Sequence, residues 1–173
     1  MVRSRRRTCI VALALVLAAR AVSAQTPGRR FVTDAKVDAR GVLHIIYSDR
    51  RVVTPPREKD QRGVSDVAVA GDKQTVGWLV QYDNHGITSY TIPLTLIVFR
   101  SGTVIRRVSN GFMVSEWFFA DEGKRVAFHT DTVHSSLAPY YELRDVDTNQ
   151  VVEKWEGALT DRAPAWTRRF RRE

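Results

Sequence analysis

The sequence contains one pattern twice, and this repeat restricts the fold more than any other feature. Residues 64–78 read VSDVAVAGDKQTVGW and residues 114–128 read VSEWFFADEGKRVAF, and the two align without a gap at an offset of 50 positions. In each copy an apolar, strand-forming run leads into a short polar stretch with Gly, and a second such run follows. Two β-forming runs on either side of a polar turn predict a β-hairpin.

Each copy continues into two further strand-like runs, so that each repeat predicts four strands, a to d. In unit A, residues 64–111, the predicted strands are 66–70, 75–80, 93–100 and 103–108. In unit B, residues 114–157, they are 116–120, 125–130, 140–145 and 151–155. The offset falls to 47 in the second half, so the loop from b to c is three residues shorter in unit B. Residues 31–53 predict an additional N-terminal hairpin.

Two four-stranded meanders, each shorter than 50 residues, resemble the blades of β-propellers of the WD40 and TolB types. The polar a–b turn resembles the Asp-Gly-Lys turn of exported propeller repeats, and residues 144–152 (RDVDTNQVV) resemble the c–d hairpin of such blades. The resemblance implies an all-β, antiparallel fold. Because propellers close with about four or more blades, two units and a hairpin predict an open assembly of packed sheets.

The first 24 residues have the features of a cleaved signal peptide. Arginines at positions 3 and 5–7 precede the apolar run 9–19, which is short for a membrane span of about 20 residues. The small residues at 22–24 predict cleavage before Gln25, and Cys9, the single cysteine, would leave with the signal. We therefore expect export to the periplasm or the exterior. The alternative is an uncleaved N-terminal anchor.

The formal net charge of +8 is concentrated at the two ends of the chain. The intervening body, expected to be a single β domain over residues 25–159, is nearly neutral, so we expect no nucleic-acid partner. Residues 160–173 form a basic tail, in which Arg168, Arg169, Arg171 and Arg172 suggest attachment to an anionic membrane surface. In the alternative interpretation Trp166 packs on the last sheet and the arginines stay in solvent.

The loops that join b to c leave the same edge of each repeated unit. Residues 81–91 and 131–138 are therefore expected to lie near each other and to form the contact surface. The candidate binding residues there are Asp83, Asn84, His85, Tyr90, Asp131, His134 and Tyr140. This arrangement predicts a non-enzymatic binding or scaffold protein whose partner is another envelope or secreted protein.

A different class of function would use a metal ion bound by His129, Asp131 and His134, since imidazole and carboxylate suit zinc and similar ions. Such a protein would be a small metal-binding or metal-dependent hydrolytic protein. The sequence contains no G-x-S-x-G elbow and no phosphate-binding loop, so we assign no catalytic residues and expect no cofactor. Residues 145–149 match three EF-hand positions, but Gln150 replaces the required glycine, which favours a hairpin turn.

Most aromatic residues of the two units occupy positions at which the other unit is also apolar. Trp117 matches Val67, Phe119 matches Val69, and Phe128 matches Trp78. An apolar character kept in both copies is typical of a core. We therefore expect these rings to be buried rather than to form a sugar-binding platform.

Overall fold

The computed structural model describes residues 30–84, 90–131 and 138–170, and these ranges form three antiparallel sheets, none of which closes into a barrel. Each sheet is a meander whose strands follow the order of the chain. The first contains β1 Val32–Val37, β2 Leu43–Tyr47 and β3 Val52–Val53. The second contains β4 Gly63–Val69, β5 Thr75–Asp83, β6 Thr91–Arg100 and β7 Thr103–Val108. The third contains β8 Met113–Ala120, β9 Arg125–Asp131, β10 Tyr140–Asp145 and β11 Val151–Glu156.

The predicted all-β architecture of two four-stranded meanders and an N-terminal hairpin is confirmed. The first strand of each four-stranded sheet begins three residues earlier than predicted, because a β-bulge lets pairing continue past an irregular position. In β4 the bulge contains Asp66, whose φ is 48°. Within the predicted N-terminal hairpin region, residues 31–53, Val52–Val53 form a short third strand, β3.

The sheets pack face to face with a hydrophobic core between each neighbouring pair. Trp78 of β5 faces the first sheet, where it packs with Leu43 and Ile45. Phe128 of β9 holds the same position in the repeat and faces the second sheet, beside Leu96. Trp78 and Phe128 are thus buried as predicted, and each unit turns its strand-b aromatic ring towards the preceding sheet. Trp117 and Phe119 are only partly buried, and they pack against the core between the second and third sheets.

The outer face of the third sheet is covered by the end of the described chain. Residues Ala165–Phe170 form a short 3₁₀ helix, which we call the C-terminal cap. Phe170 is only 8% exposed, and its ring lies 4.9 Å from that of Phe118 and 5.4 Å from that of Tyr141. Trp166 Nε1 donates a hydrogen bond of 2.8 Å to Glu153 Oε2. The cap thus shields a face that would otherwise expose apolar side chains to water.

The first sheet ends the stack on the opposite side with a polar outer face. Its inward residues, including Val32 and Ile45, are buried, whereas Asp34 and Lys36 are exposed on the other face. Repeat proteins require polar outer faces or caps on their terminal units. The stack therefore needs no further sheet at either end to bury its core.

The strand ends lie on two opposite sides of the stack. On one side, which we call the b–c edge, β5 ends and β6 begins, and β9 ends and β10 begins. At the opposite a–b edge, Arg100 connects the second and third sheets: it donates to Thr75 Oγ1 at 2.7 Å, Asp147 Oδ1 at 2.6 Å and the Gly123 carbonyl at 3.0 Å. Within the described ranges, no helix combines the length and apolar character needed to cross a bilayer.

Candidate functional site

The b–c ends of the second and third sheets lie at the same edge of the molecule. β7 ends at Val108 and β8 begins at Met113, so a linker of only four residues connects the sheets there. Asn110 of this linker donates from Nδ2 to Thr130 Oγ1 at 3.1 Å, which fixes the linker against the end of β9. Of the predicted binding residues, those that the structure describes are placed at this edge; they are Asp83, Asn84, Tyr90, Asp131 and Tyr140.

These residues differ in how available they are for contact. Asp83 lies 2.6 Å from the guanidinium of Arg62, and the Arg62 amide donates to the Gln81 carbonyl at 2.8 Å. Asp83 therefore anchors the connection between the first two sheets. Tyr90, in contrast, is 44% exposed beside the start of β6. His85 and His134 lie outside the described residues, and the joint role of the whole set as a contact surface stays a prediction.

The metal alternative depends on His129, Asp131 and His134, the last of which lies outside the described residues. His129 turns its ring to the outer face of the third sheet, where it stacks on Tyr141 with ring centroids 4.4 Å apart. Within the described ranges, no group of three or more His, Cys, Asp or Glu side chains is close enough together to hold a metal ion.

Ser115 and His129 form a pair that the sequence analysis did not identify. The serine Oγ lies 2.9 Å from His129 Nδ1, while Nε2 is buried and has no hydrogen-bond partner among the described residues. Burial lowers the pKa of His129, and the nearby Asp131 and Glu116 oppose that shift. A nucleophile–base pair normally needs a third group that orients the imidazole. Here Nε2 has no such partner, and the neighbouring rings are those of Tyr141 and Phe170, so the pair is better explained by packing.

A groove of about 510 Å³ opens at the b–c edge of the third sheet. We call it the Phe112 groove; its lining residues are Asn110, Phe112, Ala138, Tyr140, Glu142 and Glu156. Phe112 is 43% exposed, so its ring is accessible to a partner at the mouth of the groove. The Phe112 amide donates to Asn110 Oδ1 at 3.2 Å, so the same asparagine that binds Thr130 also orients the linker that carries the ring.

The groove contains a nearly buried carboxylate. Glu142 is 3% exposed; its Oε2 accepts a hydrogen bond of 2.9 Å from the Tyr140 hydroxyl, and its Oε1 accepts from Arg144 Nε. Burial, followed by the hydrogen bond to Glu142, raises the pKa of Tyr140 to about 12. Tyr140 therefore remains a hydrogen-bond donor at physiological pH. The arrangement stabilises a charge that would be costly to bury alone.

Tyr140 was predicted as a contact residue, whereas the other residues of this groove were not. Two signals were present. Glu142 interrupts a predicted strand at a position where unit A, at the offset of 47, has Thr95. Phe112 is a large apolar residue in the short connection between the units, where polar residues are expected.

No model of a known protein family matches the chain, and no curated protein is significantly similar to it. Among the described residues of the b–c edge, those of the Phe112 groove combine an exposed aromatic ring with oriented polar groups.

Proposed function

We propose that the protein is an exported, non-enzymatic binding protein that contacts another envelope or secreted protein through the Phe112 groove. The observation that carries this proposal is the exposed Phe112 ring, which lies beside a groove whose polar groups are already held in place. Buried aromatic anchors surrounded by oriented polar groups are typical of the central part of protein interfaces. The proposal also agrees with the earlier prediction that the b–c edge is the contact surface.

A polypeptide partner suits this groove for a geometric reason. Glu156, the last residue of β11, lines the groove, and β11 is an edge strand that pairs only with β10 among the described strands. Val151 and Val152, at the far end of β11 beside the c–d turn, are nearly half exposed, so the strand is accessible along its length. An extended segment of a partner can run beside such an edge strand while its side chains enter the adjacent groove. Tyr90, at the same edge, would enlarge the contact area.

The propeller-like character of the repeated units belongs to the same proposal. Its support is that each meander packs on the next one with the same strand-b position facing backwards, as Trp78 and Phe128 do. The C-terminal cap and the polar face of the first sheet explain how so few units form a stable stack without closing a ring. In this proposal the units are a scaffold, and binding is carried out by the b–c edge.

The proposal can be tested with two phenylalanine variants. Phe112→Ser removes the exposed ring of the groove, and Phe31→Ser removes a ring of similar exposure, 40%, at the a–b edge. Each variant and the wild type would be immobilised and incubated with the exported fraction of the host, and retained proteins quantified by mass spectrometry. We expect a protein retained equally by the wild type and Phe31→Ser and at least about tenfold less by Phe112→Ser.

Equal retention by all three proteins would contradict the proposal. Melting temperatures of the variants should stay close to that of the wild type, because neither ring is part of a buried core. A loss of binding in Phe112→Ser without a loss of folding would therefore identify the groove itself as the contact surface.

A further inference from the structure

A second concave site lies at the a–b edge, on the side of the molecule opposite the Phe112 groove. It has a volume of about 460 Å³ and lies between the first and second sheets. Its lining contains Tyr47 and Arg51 from the β2–β3 hairpin, Arg30 before β1, and Gln74 and Ser101 from turns of the second sheet. We call it the Arg51 cleft. Its lining is richer in polar groups than that of the Phe112 groove, so it suits a different kind of ligand.

The two arginines of this cleft differ in their pairing. Arg30 Nε lies 2.7 Å from Asp49 Oδ2, so an internal carboxylate partly neutralises its charge. For Arg51, no carboxylate of the described residues lies within salt-bridge distance. Arg30, Arg51 and Asp49 together carry a net charge of +1 (two positive charges and one negative). A guanidinium presents several N–H donors in a planar fork that matches the oxygens of carboxylates and phosphates.

Tyr47 contributes a hydrogen-bond donor to the lining of the cleft. The residue is only 7% exposed, and its ring packs in the core between the first two sheets. Its hydroxyl is not among the buried polar atoms of the described residues that lack a partner, and it lines the cleft, so an oxygen of a ligand can reach it. Burial raises the pKa of Tyr47, Arg51 and Arg30 lower it, and Asp49 raises it, so the phenol stays a hydrogen-bond donor.

From this geometry we propose that the Arg51 cleft binds the oxyanion group, a phosphate or a carboxylate, of a small anionic ligand. The Arg51 guanidinium would pair with the anion, and the Tyr47 hydroxyl would donate a hydrogen bond to one of its oxygens. Gln74 helps to shape the site, because its Nε2 donates to the Arg30 carbonyl at 2.8 Å and thereby holds the segment before β1 against the second sheet.

The test uses two arginines of the same hairpin. Arg51→Gln removes the charge that lines the cleft, and Arg50→Gln removes the same charge one residue earlier, at an exposed position that does not line it. Tyr47→Phe keeps the buried ring and removes the hydroxyl. Binding of inorganic phosphate, acetate and glycerol 3-phosphate would be measured by NMR titration at about 0.15 M salt, where attraction between distant charges is screened.

We expect saturable binding of at least one of these probes by the wild type. Arg51→Gln should weaken it by about tenfold or more and Tyr47→Phe by about three- to tenfold, since charge-assisted hydrogen bonds are about twice as strong as neutral ones. Arg50→Gln should leave it unchanged. The absence of saturable binding, or an equal effect of Arg50→Gln and Arg51→Gln, would overturn the proposal, because binding would then be absent or due to diffuse charge.

A second measurement separates two sources of the anion. Sedimentation with phosphatidylglycerol vesicles, compared with phosphatidylcholine vesicles, would show whether a lipid headgroup occupies the cleft. Co-sedimentation that is lost in Arg51→Gln but kept in Arg50→Gln would support a lipid source. Phosphate or carboxylate binding without co-sedimentation would support a soluble ligand. The cleft and the Phe112 groove lie at opposite edges and share no lining residue. A failure of anion binding at the cleft therefore does not contradict partner binding at the groove, and a failure of partner binding does not contradict anion binding.

Discussion

His129 occupies the position in unit B that Leu79 occupies in unit A, fifty residues earlier. Leu79 is packed against the third sheet, whereas His129 is packed against Tyr141 and Phe170 beneath the C-terminal cap. Burial lowers the pKa of His129 below its ordinary value of 6.5, so the unfolded chain binds a proton at higher pH than the folded chain does. The free energy of unfolding must then decrease as the pH falls below about 6.5.

We therefore expect His129→Leu, which installs the residue of the other unit, to reduce this loss of stability on acidification. Urea unfolding at about pH 7.5 and about pH 5.5 measures it, since the interval includes the ordinary titration range of histidine. Ser115→Ala is the control: it removes the partner of Nδ1 but keeps the imidazole, and should keep the acid sensitivity. The same pH dependence in His129→Leu and the wild type would show that His129 is not the group responsible.

Gly77 allows the second and third sheets to approach each other closely. A Cβ at this position would lie 2.5 Å from Trp117 Cη2 and 3.0 Å from Phe119 Cζ. We expect Gly77→Ala to lower the free energy of unfolding by about 1–3 kcal/mol, because the two rings must move in a packed core. Gly63→Ala is the control, because its Cβ would approach only Gln81, at 3.7 Å. Equal stabilities of the two variants in urea unfolding would contradict the proposed close packing.

The C-terminal cap is an element that the sequence did not reveal as such. Trp166 and Phe170 are four residues apart in the sequence, but that spacing cannot say which surface they contact. In the structure the cap covers the face of the third sheet that, in unit A, the next sheet covers. Trp166 packs on the third sheet, as the alternative interpretation of the tail expected. Arg169 lies over the Phe118 ring, at 4.5 Å from its centroid.

We expect Phe170→Ala to destabilise the protein by about 3 kcal/mol, because a nearly buried ring is lost from the outer face of the third sheet. Arg168→Ala, two residues earlier and exposed, should change the free energy of unfolding by no more than about 0.5 kcal/mol. Chemical denaturation of the two variants provides the comparison. A Phe170→Ala variant as stable as Arg168→Ala would mean that the cap does not protect the sheet.

The strands were largely predictable because their signals are local. The bounds of β7 and β10 agree with the predicted strands, since turn residues lie next to their apolar runs. The starts of β4 and β8 were missed because a bulge shifts the alternation by one residue, and alternation is what a sequence pattern detects. In unit B the predicted polar a–b turn is a short 3₁₀ helix, Asp121–Gly123, in which Glu122 has a φ of 56°.

At the scale of the whole molecule, the two sites depend on how sheets are placed relative to one another. The Phe112 groove combines a linker with two strands of the third sheet, and the Arg51 cleft combines turns from two different sheets. No single segment of sequence carries either pattern. The repeat predicted which edge holds the b–c ends, and Tyr140 was identified for that reason, whereas Phe112 and Arg51 depend on the packing between units.

Export remains a proposal that concerns the chain as a whole. Mass spectrometry of the protein recovered from the exported fraction should show a mature chain that begins at Gln25, because the small residues at 22–24 suit a signal peptidase. Replacing the apolar run 9–19 with polar residues should keep the protein in the cytoplasm. Recovery of a chain that still carries residues 1–24 in a membrane fraction would support an uncleaved anchor instead.

The central claim is that the b–c edge, and in particular the Phe112 groove, contacts a partner protein. The most direct measurement is site-specific photo-crosslinking in exporting cells, with benzoylphenylalanine placed at position 112, 90 or 31. We predict that positions 112 and 90 crosslink to the same partner and that position 31, at the a–b edge, does not. A crosslink from position 31 alone, or none from position 112, would contradict the account.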